Sequence, residues 1–531
     1  MSKKSVRLCW VVTFLVCAVV FSSLFVVSGK AIYPMKSPVT LKYWSGLNVK
    51  VAPTAKNLGE TPFAKELEKQ TGIKVEYIHP AVGQERESFN IMIASGDLPD
   101  IIEYNWYSDF PGGPENAIKQ GYIHSLNKII PKYAPNLNKY LKGNPSVDKM
   151  VKTDGGNYYV FPFIRDDEIL TVFYGPMIRK DWLDELGLQV PTTVDEWYAV
   201  LKTFKEKKGA TAPLTLWCSP LNQLTATFGN AGFLAGAYGV RRDFYIEKGK
   251  IKYGPIEPGY KEFLTTLRKW YAEGLIDKNF ATADMKAVDA NILGGASGAT
   301  VNYIGSMMGK WLTTMKAQDP KFNIVAAPYP VLKKGEKPKF GHKDLPYVVG
   351  LCAAITTKSK NVELAARFLD YGYSKGGHML FNFGIEGVSY RMEGNFPKYT
   401  DVIMKNPDKL PISTAMGRYF RSNYGGPFVQ DRNYITQYYD FQQQKDALTI
   451  YANTDTAKHD LPRITATPDE SSTLARIMSD VQTFSDEMFL KYAMGVEPLD
   501  NFDSYVRKMK SLGIDKAIAI QQAALDRYNK R

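Results

Sequence analysis

The chain has 531 residues, of which 44% are hydrophobic and 23% are charged, and its net charge at pH 7 is +13. This length exceeds what one hydrophobic core usually supports, so two or more lobes are expected. The composition excludes a fibrous or disordered protein, and the dispersed bases, without a long Lys/Arg cluster, argue against a nucleic-acid-binding protein.

The N-terminal segment 1–29 predicts export from the cell. It carries Lys3, Lys4 and Arg7 without an acid, then twenty mostly apolar residues, then small and polar ones. This order is typical of a signal peptide, but the apolar run is also long enough to span a bilayer as an N-terminal anchor. We favour cleavage, and in either case the body is expected to be extracellular and associated with the cell surface.

The cysteines and histidines indicate neither a lipid anchor nor a metal site. Cys17 lies within the apolar run behind Val16, which is a poor position for lipid attachment. The exported body retains Cys218 and Cys352, whose pairing stays open. The five histidines lack the close spacing of transition-metal ligands, so we expect no metal and no cofactor.

The first elements predict an α/β lobe. Residues 39–43 and 73–78 alternate as strands, and a helix over 61–70 separates them, which is the order that builds a parallel sheet. A second helix is predicted over 84–94. Gly96 is placed to end that helix, and the following proline prevents its continuation.

The stretch ASGDLPDII (94–102) carries two acids, Asp97 and Asp100, at this helix-to-strand turn. We interpret them as turn and strand-start residues rather than a catalytic pair, with Asp97 bonding nearby backbone N–H groups. The aromatic loop 105–113 follows the strand. Because open α/β sheets bind ligands at the carboxyl ends of their strands, this loop is the first candidate site, and Trp106 is expected to contribute most.

The next region predicts a hairpin with an extended continuation over 154–175, and then two helices. Gly187 is placed to end the first helix, and Thr193 and Glu196 have capping-box spacing at the start of the second. Large aromatics on apolar helical stripes are usually core, and we predict this for Trp182, Trp197 and Trp270.

Several longer stretches then resemble one family. They are SGDLPDII, DGGNYYVFP, IRKDWLDELGLQVPTTVDEWY, YAEGLIDKNF, FNFGIEGVSY and the C-terminal SYVRKMKSLGIDKAIAIQQAALDRYNKR. Together and in this order they resemble the family 1 extracellular solute-binding proteins, the exported receptors of ATP-driven carbohydrate importers. The chain is most similar to the long, usually lipid-anchored members from Gram-positive bacteria that serve oligosaccharide importers. The resemblance covers nearly the whole exported body.

The resemblance implies an α/β fold of the type II periplasmic-binding-protein-like clamp. Each lobe would be a mostly parallel sheet flanked by helices, with extra C-terminal helices. Sugar bound between the lobes would favour a closed form that the importer, a two-subunit permease with an ATPase, distinguishes. The protein itself is expected to be a monomer. The implied first lobe spans 38–168 plus 338–390 and the second 169–337 plus 391–531, with crossings near 164–170 and 341–347.

The resemblance also implies a ligand site built from aromatic, amide and carboxylate side chains of both lobes. A sugar ring stacks its apolar face on aromatic rings and offers hydroxyls that need polar partners. Ordinary packing is the alternative for each residue. The implied ligand-binding residues are Tyr104, Asn105, Trp106, Tyr107, Trp217, Asn222, Gln223, Asn302, Tyr303, Glu386 and Tyr390.

Two properties bear on the ligand and on metals. Many long relatives carry a calcium loop after the helix that here ends FKEKK, but KGATAPLTLW has no carboxylate, so we expect no calcium there. Without residues 1–29 the net charge is still +10. An acidic oligosaccharide is therefore a hypothesis, with Arg165, Arg391 or Arg418 as carboxylate partners.

Two other functions are weighed. A secreted glycoside hydrolase needs two acids about 5–10 Å apart, but the acids here lie at helix starts and turns, such as Asp195, Glu196, Asp469 and Glu470, and no hydrolase motif appears. We therefore expect no enzymatic activity and no catalytic residue. A membrane-anchored carbohydrate-sensing or adhesion module is supported only by the long apolar N-terminus.

Overall fold

The computed structural model describes residues 33–217 and 232–531, so the predicted signal segment and the predicted site residues Asn222 and Gln223 lie outside the described residues, as does Cys218. Within these ranges no helix is both long and apolar enough to cross a bilayer. The strands are β1 Thr40–Ser45, β2 Lys74–Ile78, β3 Ile101–Tyr104, β4 Phe161–Arg165, β5 Tyr174–Arg179, β6 Leu214–Thr215, β7 Phe244–Glu247, β8 Lys250–Tyr253, β9 Ala299–Tyr303, β10 Ile324–Ala326, β11 Tyr347–Ile355, β12 Tyr390–Glu393, β13 Phe396–Tyr399 and β14 Val429–Gln430.

The helices lie mainly between these strands and after the last of them. They are α1 Pro62–Thr71, α2 Glu85–Ser95, α3 Gly113–Lys119, α4 Ile129–Tyr133, α5 Pro135–Gly143, α6 Pro145–Met150, α7 Lys180–Glu185, α8 Val194–Lys208, α9 Gly232–Ala235, α10 Pro258–Ala272, α11 Met285–Leu293, α12 Gly309–Met315, α13 Val362–Tyr371, α14 Lys375–Phe383, α15 Asp401–Met404, α16 Ile412–Tyr419, α17 Arg432–Tyr438, α18 Gln442–Ala452, α19 Pro468–Ala493, α20 Phe502–Ser511 and α21 Ile514–Lys530.

The first sheet confirms the predicted strand–helix–strand order. Its strands lie in the order β14-β4-β11-β3-β1-β2, and β1 pairs in parallel with both β2 and β3. Gly96 ends α2 in the left-handed conformation, as predicted, and Gly72 ends α1 in the same conformation, where a glycine has no steric penalty. Only β11 runs against its neighbours in this sheet.

The second sheet is mixed, so the prediction of mostly parallel sheets is wrong for it. Its order is β10-β5-β9-β6, in which β5 is antiparallel to both neighbours and only β6 and β9 are parallel. The reason is topological. The chain passes directly from the first sheet into β5, so β5 begins at the edge of the second sheet where β9 ends. A strand that begins there must run in the opposite direction to β9.

Crossing segments join the two sheets. Residues 166–173 connect β4 to β5, and residues 341–346 lead into β11. The two segments lie side by side, because the Arg165 N–H donates to the Pro346 carbonyl at 2.8 Å and the Asp344 N–H donates to the Thr171 carbonyl at 2.9 Å. We call the space beside these crossings the cleft. The carboxyl ends of β1, β3 and β4 lie on one side of it, and the ends of β6 and β9 lie on the other.

Two separate hydrophobic cores accompany the two sheets. One gathers side chains from 41–164 and 347–381 together with Phe428, and the other gathers side chains from 170–329 and 383–528. Trp182, Trp197 and Trp270 are buried in the second core, as predicted. The predicted lobe boundaries remain a proposal. One short strand, β14, joins the first sheet from within the range that we predicted for the second lobe.

The C-terminal helices α19–α21 pack against the second core and also reach the first lobe. Arg527 Nε donates to Asp154 at 2.6 Å, and the guanidinium of Arg531 contacts the same carboxylate. Asp154 lies in the turn before β4, where its backbone N–H also donates to Thr465 Oγ1 at 3.0 Å. The end of the chain therefore also contacts the region that we assign to the first lobe.

The predicted capping box at the start of α8 is present and leads to a pH-dependent prediction. The carboxylate of Glu196 accepts from the backbone N–H groups of Thr192, at 2.8 Å, and of Thr193, at 3.2 Å. The Thr192 N–H is the main reason that the pKa of Glu196 lies at about 2. The charged form is thus favoured by folding, and its stabilisation is present above about pH 4.5 and is lost as the pH falls towards 2.

We therefore expect Glu196→Gln to lower the free energy of unfolding by about 1 kcal/mol at pH 7, the usual size of a cap effect. The difference from the wild type should shrink as the pH falls below about 4.5. Urea unfolding followed by circular dichroism from pH 7 to pH 3 measures both. Glu206→Gln, at an exposed position on the same helix, is the control. A difference that is constant with pH would contradict the assignment.

Candidate ligand-binding cleft

A small pocket opens at the carboxyl edge of the first sheet. Its volume is about 40 Å³, room for a single polar group rather than a whole ring. It is lined by the residues after β1, by Glu103 of β3 and Leu351 of β11, and by Arg421 and Tyr424 from the segment that leads back into β14. The pocket lies where ligands collect in open α/β sheets.

The base of this pocket is a buried ion pair. The guanidinium of Arg421 donates to both oxygens of Glu103, at 2.5 and 3.1 Å, and its Nε donates to the Gly425 carbonyl at 2.8 Å. Tyr43 adds a third donor to Glu103 at 2.5 Å. Burial alone disfavours the charge of Arg421, but Glu103 outweighs it, and the pKa of the guanidinium is raised. The guanidinium is therefore favoured in its charged form against Glu103.

The crossing segments carry more ion pairs along the floor of the cleft. Each joins a base to an acid from a different part of the chain, so the pairs also fix the crossings to one another. The side chains of these pairs are partly exposed, so some of their hydrogen-bonding atoms are accessible to a ligand. The pairs are Arg165–Asp344 at 2.6 Å, Lys343–Glu168 at 2.5 Å and Arg432–Asp167 at 3.2 Å.

An aromatic group adjoins this floor. Tyr303, at the end of β9, lies nearly parallel to Phe173, with ring centroids 6.2 Å apart and planes at 9°. The guanidinium carbon of Arg165 lies 5.3 Å from the Phe173 centroid, and the His342 ring meets Phe173 edge-on at 4.3 Å. Tyr303 and Phe173 are only half-buried. They offer flat apolar faces beside the donors and acceptors of the Arg165–Asp344 pair.

Trp106 does not lie where the sequence analysis expected it. Its side chain is 0% exposed, and its Nε1–H donates to the Ile102 carbonyl at 3.2 Å. The ring packs edge-on against Phe89 at 5.2 Å and stacks with Phe110 at 5.8 Å. The chain turns back after β3 and directs this indole into the first core. An exposed stacking role for Trp106 is therefore wrong for this conformation.

The other residues of this loop have different positions. Tyr104, the last residue of β3, is half-buried, with its ring 5.6 Å from that of Trp44, and remains accessible at the cleft edge. The side-chain oxygen of Asn105 accepts from the backbone N–H of Ser108 at 3.1 Å, which stabilises the turn. The hydroxyl of Tyr107 donates to the carbonyl of Ile464. Tyr107 thus contacts the C-terminal region.

Most of the predicted residues of the other regions are buried. Trp217 is 2% exposed, and Asn302 is fully buried with its oxygen accepting from the Tyr303 N–H at 2.9 Å. Tyr390 packs in the second core, and burial, with a smaller contribution from Glu386, raises its pKa to about 12. Glu386 itself is exposed. Of the predicted set, Tyr104 and Tyr303 are the accessible aromatic residues of the cleft.

Sequence reasoning missed Glu103, Arg421, Phe173 and Tyr424. A signal existed for Glu103, because it is the single carboxylate inside the strand IIEY. No local signal identified Arg421, which lies 318 residues further along the chain and reaches Glu103 only through the fold.

Of the two acids of ASGDLPDII, Asp100 has side-chain contacts in the structure, and these are architectural. Asp100 accepts from the Lys42 N–H at 2.9 Å and from the Ser359 hydroxyl at 2.5 Å, so it fixes the turn to two neighbouring segments. The predicted side-chain bonds of Asp97 stay a prediction. Over 33–217 and 232–531, no three His, Cys, Asp or Glu side chains are grouped closely enough to hold a metal ion.

Comparisons with known proteins agree with this architecture. The fructooligosaccharide ABC transporter substrate-binding protein FusA of Streptococcus pneumoniae is 25% identical over 93% of this chain and 92% of its own length. The polygalacturonan/rhamnogalacturonan-binding protein YtcQ of Bacillus subtilis is 25% identical over 85% of each chain. The crystal structure of the alginate-binding protein AlgQ2 without calcium ion matches with a TM-score of 0.74 at 26% identity, covering 94% of this chain and 100% of that one.

A second solved structure and a family sequence model give the same result. The structure of FusA in complex with kestose also matches with a TM-score of 0.74, at 23% identity over 93% of this chain and 100% of that one. The sequence model of the bacterial extracellular solute-binding proteins matches residues 55–379, more than half of the chain. With two cores, two sheets and a cleft at their facing edges, the chain belongs to the bacterial extracellular solute-binding proteins.

Proposed function

We propose that this protein captures an oligosaccharide in the cleft and delivers it to an ATP-driven importer. The observation that carries the proposal is the combination, at the facing edges of two sheets, of half-buried aromatic rings with ion pairs that have donors and acceptors left over. Sugars require this combination, because their C–H faces stack on rings while their hydroxyls both donate and accept. Relatives named as sugar-binding transporter components cover nearly all of the chain.

The proposed binding residues follow from the geometry of the cleft and differ from those that the family resemblance implied. Tyr303 and Phe173 would stack a sugar ring beside Arg165 and Asp344. Tyr104 would contact the sugar from the first lobe, at the edge of the cleft. Trp106, Trp217, Asn302 and Tyr390 are left out because each is buried in a core or beneath the surface. Asn105, Tyr107, Asn222, Gln223 and Glu386 stay predictions.

We propose that the lobes close around the sugar by bending at the crossing segments. Residues 38–168 plus 338–390 and 169–337 plus 391–531 remain our lobe bounds, with β14 assigned to the first lobe. Ligand contacts with both faces can form together only when the lobes approach, so the ligand favours the closed form in proportion to those contacts. A two-subunit permease and its ATPase would then bind this closed form of a monomeric receptor.

A hydrolase is the alternative that the cleft disfavours. A glycoside hydrolase needs two acids that are free to flank the scissile bond. The acids named in the cleft are each engaged with a base of the protein: Glu103, Asp344 and Asp167 with an arginine, and Glu168 with Lys343. We therefore propose a binding protein without catalytic activity. Its place would be the outer cell surface, to which a cleaved or retained N-terminal segment exports it.

One experiment tests the class of function. The purified body, residues 33–531, is incubated with neutral and acidic plant and microbial oligosaccharides, and melting curves and product chromatograms are recorded. A receptor should melt several degrees higher with its ligand and leave the sugar unaltered, because ligand binding to the folded state alone stabilises it. Released products would support the hydrolase, and unaltered melting with every sugar would contradict a carbohydrate receptor.

The stacking role of Tyr303 gives a more specific prediction. Tyr303→Ala should weaken binding of the best sugar about tenfold, which corresponds to about 1.4 kcal/mol, because one stacking face is lost. Tyr303→Phe should retain most of the affinity. Isothermal titration calorimetry measures both. Tyr271→Ala, in helix α10 with its ring against Phe280, is the control and should bind normally. Equal losses in Tyr303→Ala and Tyr271→Ala would exclude a local role.

A further inference from the structure

The charges of the cleft indicate what class of sugar it takes. The hypothesis of an acidic ligand was motivated by the positive charge of the whole chain and required a guanidinium available to a carboxylate. The structure shows all three proposed arginines in contact with a carboxylate of the protein. Arg165 pairs with Asp344 at 2.6 Å, Arg391 with Glu393 at 3.2 Å and Arg418 with Asp408 at 2.8 Å.

The same balance holds for the two faces of the cleft. Arg421 at the first-lobe pocket is paired with Glu103, and the floor contains two further pairs, Lys343–Glu168 and Arg432–Asp167. Lys50, beside the pocket, donates to the Asn423 carbonyl, and burial together with the nearby Arg165 lowers the pKa of its ammonium to about 8. Each of these arginines, and Lys343, is thus already paired with an acid, and the ammonium of Lys50 is engaged by a carbonyl oxygen.

The internal segment outside the described residues does not alter this balance by its composition. Residues 218–231 read CSPLNQLTATFGNA and contain no Lys, Arg, Asp or Glu. Whatever position this segment takes, it contributes no side-chain charge to a ligand.

We infer that the ligand is an uncharged oligosaccharide; this inference rests on the proposed function and names its substrate class. A uronate carboxylate in this cleft would lose its hydration and would meet arginines that are already paired with acids. Its attraction to these paired arginines would not offset the free energy of the lost hydration. Neutral hydroxyls fit better, because a guanidinium–carboxylate pair retains free N–H donors and free oxygen lone pairs. The Arg165–Asp344 pair next to Phe173 offers both to one sugar ring.

Matched sugars test the inference. Melting shifts of residues 33–531 are recorded with oligogalacturonates, with the same oligomers after carboxyl reduction, and with neutral sets that include kestose, each at 20 and 300 mM NaCl. The expected result is a shift with a neutral sugar only, with an affinity that changes less than about twofold between the two salt concentrations. A shift with the uronates alone, or a tenfold loss of affinity at high salt, would overturn the inference while leaving the receptor function intact. No shift with either class would overturn the proposed function itself, and this inference with it.

A variant provides an independent readout. Asp344→Asn removes the negative partner of Arg165, so it should make binding of oligogalacturonate detectable and salt-dependent, whereas the neutral sugar should bind more weakly. Asp184→Asn, which frees Lys180 at the end of β5 opposite the cleft, is the control and should behave as the wild type with both sugars. Oligogalacturonate binding that is equally strong in the wild type and in Asp344→Asn would contradict the inference.

Discussion

Arg421→Met is expected to lower the free energy of unfolding by about 3–5 kcal/mol. The substitution leaves Glu103 buried without its cation, and breaking one side of a buried ion pair costs this much. The carboxylate is 5% exposed and would keep only the hydroxyl of Tyr43 as a close donor. Urea unfolding at neutral pH measures the change. The first-lobe pocket should lose its base at the same time, so ligand affinity of the folded fraction should also fall.

A matched pair of variants shows whether burial is the cause. Arg418→Met removes an arginine that pairs with Asp408 at the surface, and we expect less than about 1 kcal/mol of destabilisation. The double variant Glu103→Leu/Arg421→Met removes both charges and should recover most of the stability lost in Arg421→Met, because no unpaired charge remains. Equal destabilisation by Arg418→Met and Arg421→Met would contradict the structural assignment of a buried pair.

Trp106→Ala is expected to act on stability and not on ligand affinity. Removing a fully buried indole leaves a large cavity, so the free energy of unfolding should fall by about 3–5 kcal/mol. The folded fraction should bind its sugar with a dissociation constant within about threefold of the wild type. Unfolding curves measure the first effect, and calorimetry at a temperature where the variant is folded measures the second.

Tyr303→Ala provides the reciprocal comparison. The Tyr303 side chain is half-buried at the cleft, so its removal should lower ligand affinity far more than stability. The exposed acid of the preceding turn completes the set, and Asp97→Asn should change neither quantity measurably. If Trp106→Ala weakened binding tenfold while it unfolded like the wild type, the indole would have to contact ligand, and its burial in the first core would be incorrect.

The sequence determined those features that depend on neighbours along the chain. Alternating residues predicted β1 and β2, capping residues predicted the end of α2 and the start of α8, and helical stripes predicted the burial of Trp182, Trp197 and Trp270. The family was likewise identifiable from long matching stretches, because these preserve local chemistry in a fixed order. Local hydrogen bonds and local apolar spacing carry all of this information.

The tertiary structure alone decided which side chains face the cleft. An aromatic loop after a strand has the same local pattern whether its rings point outward or inward, so Tyr104 and Trp106 could not be distinguished from the sequence. The pairing of Glu103 with Arg421, and of Arg165 with Asp344, joins residues that lie far apart in the chain. Net charge could be counted from the sequence, but its cancellation within the cleft depends on distances of a few ångströms, which only the fold sets.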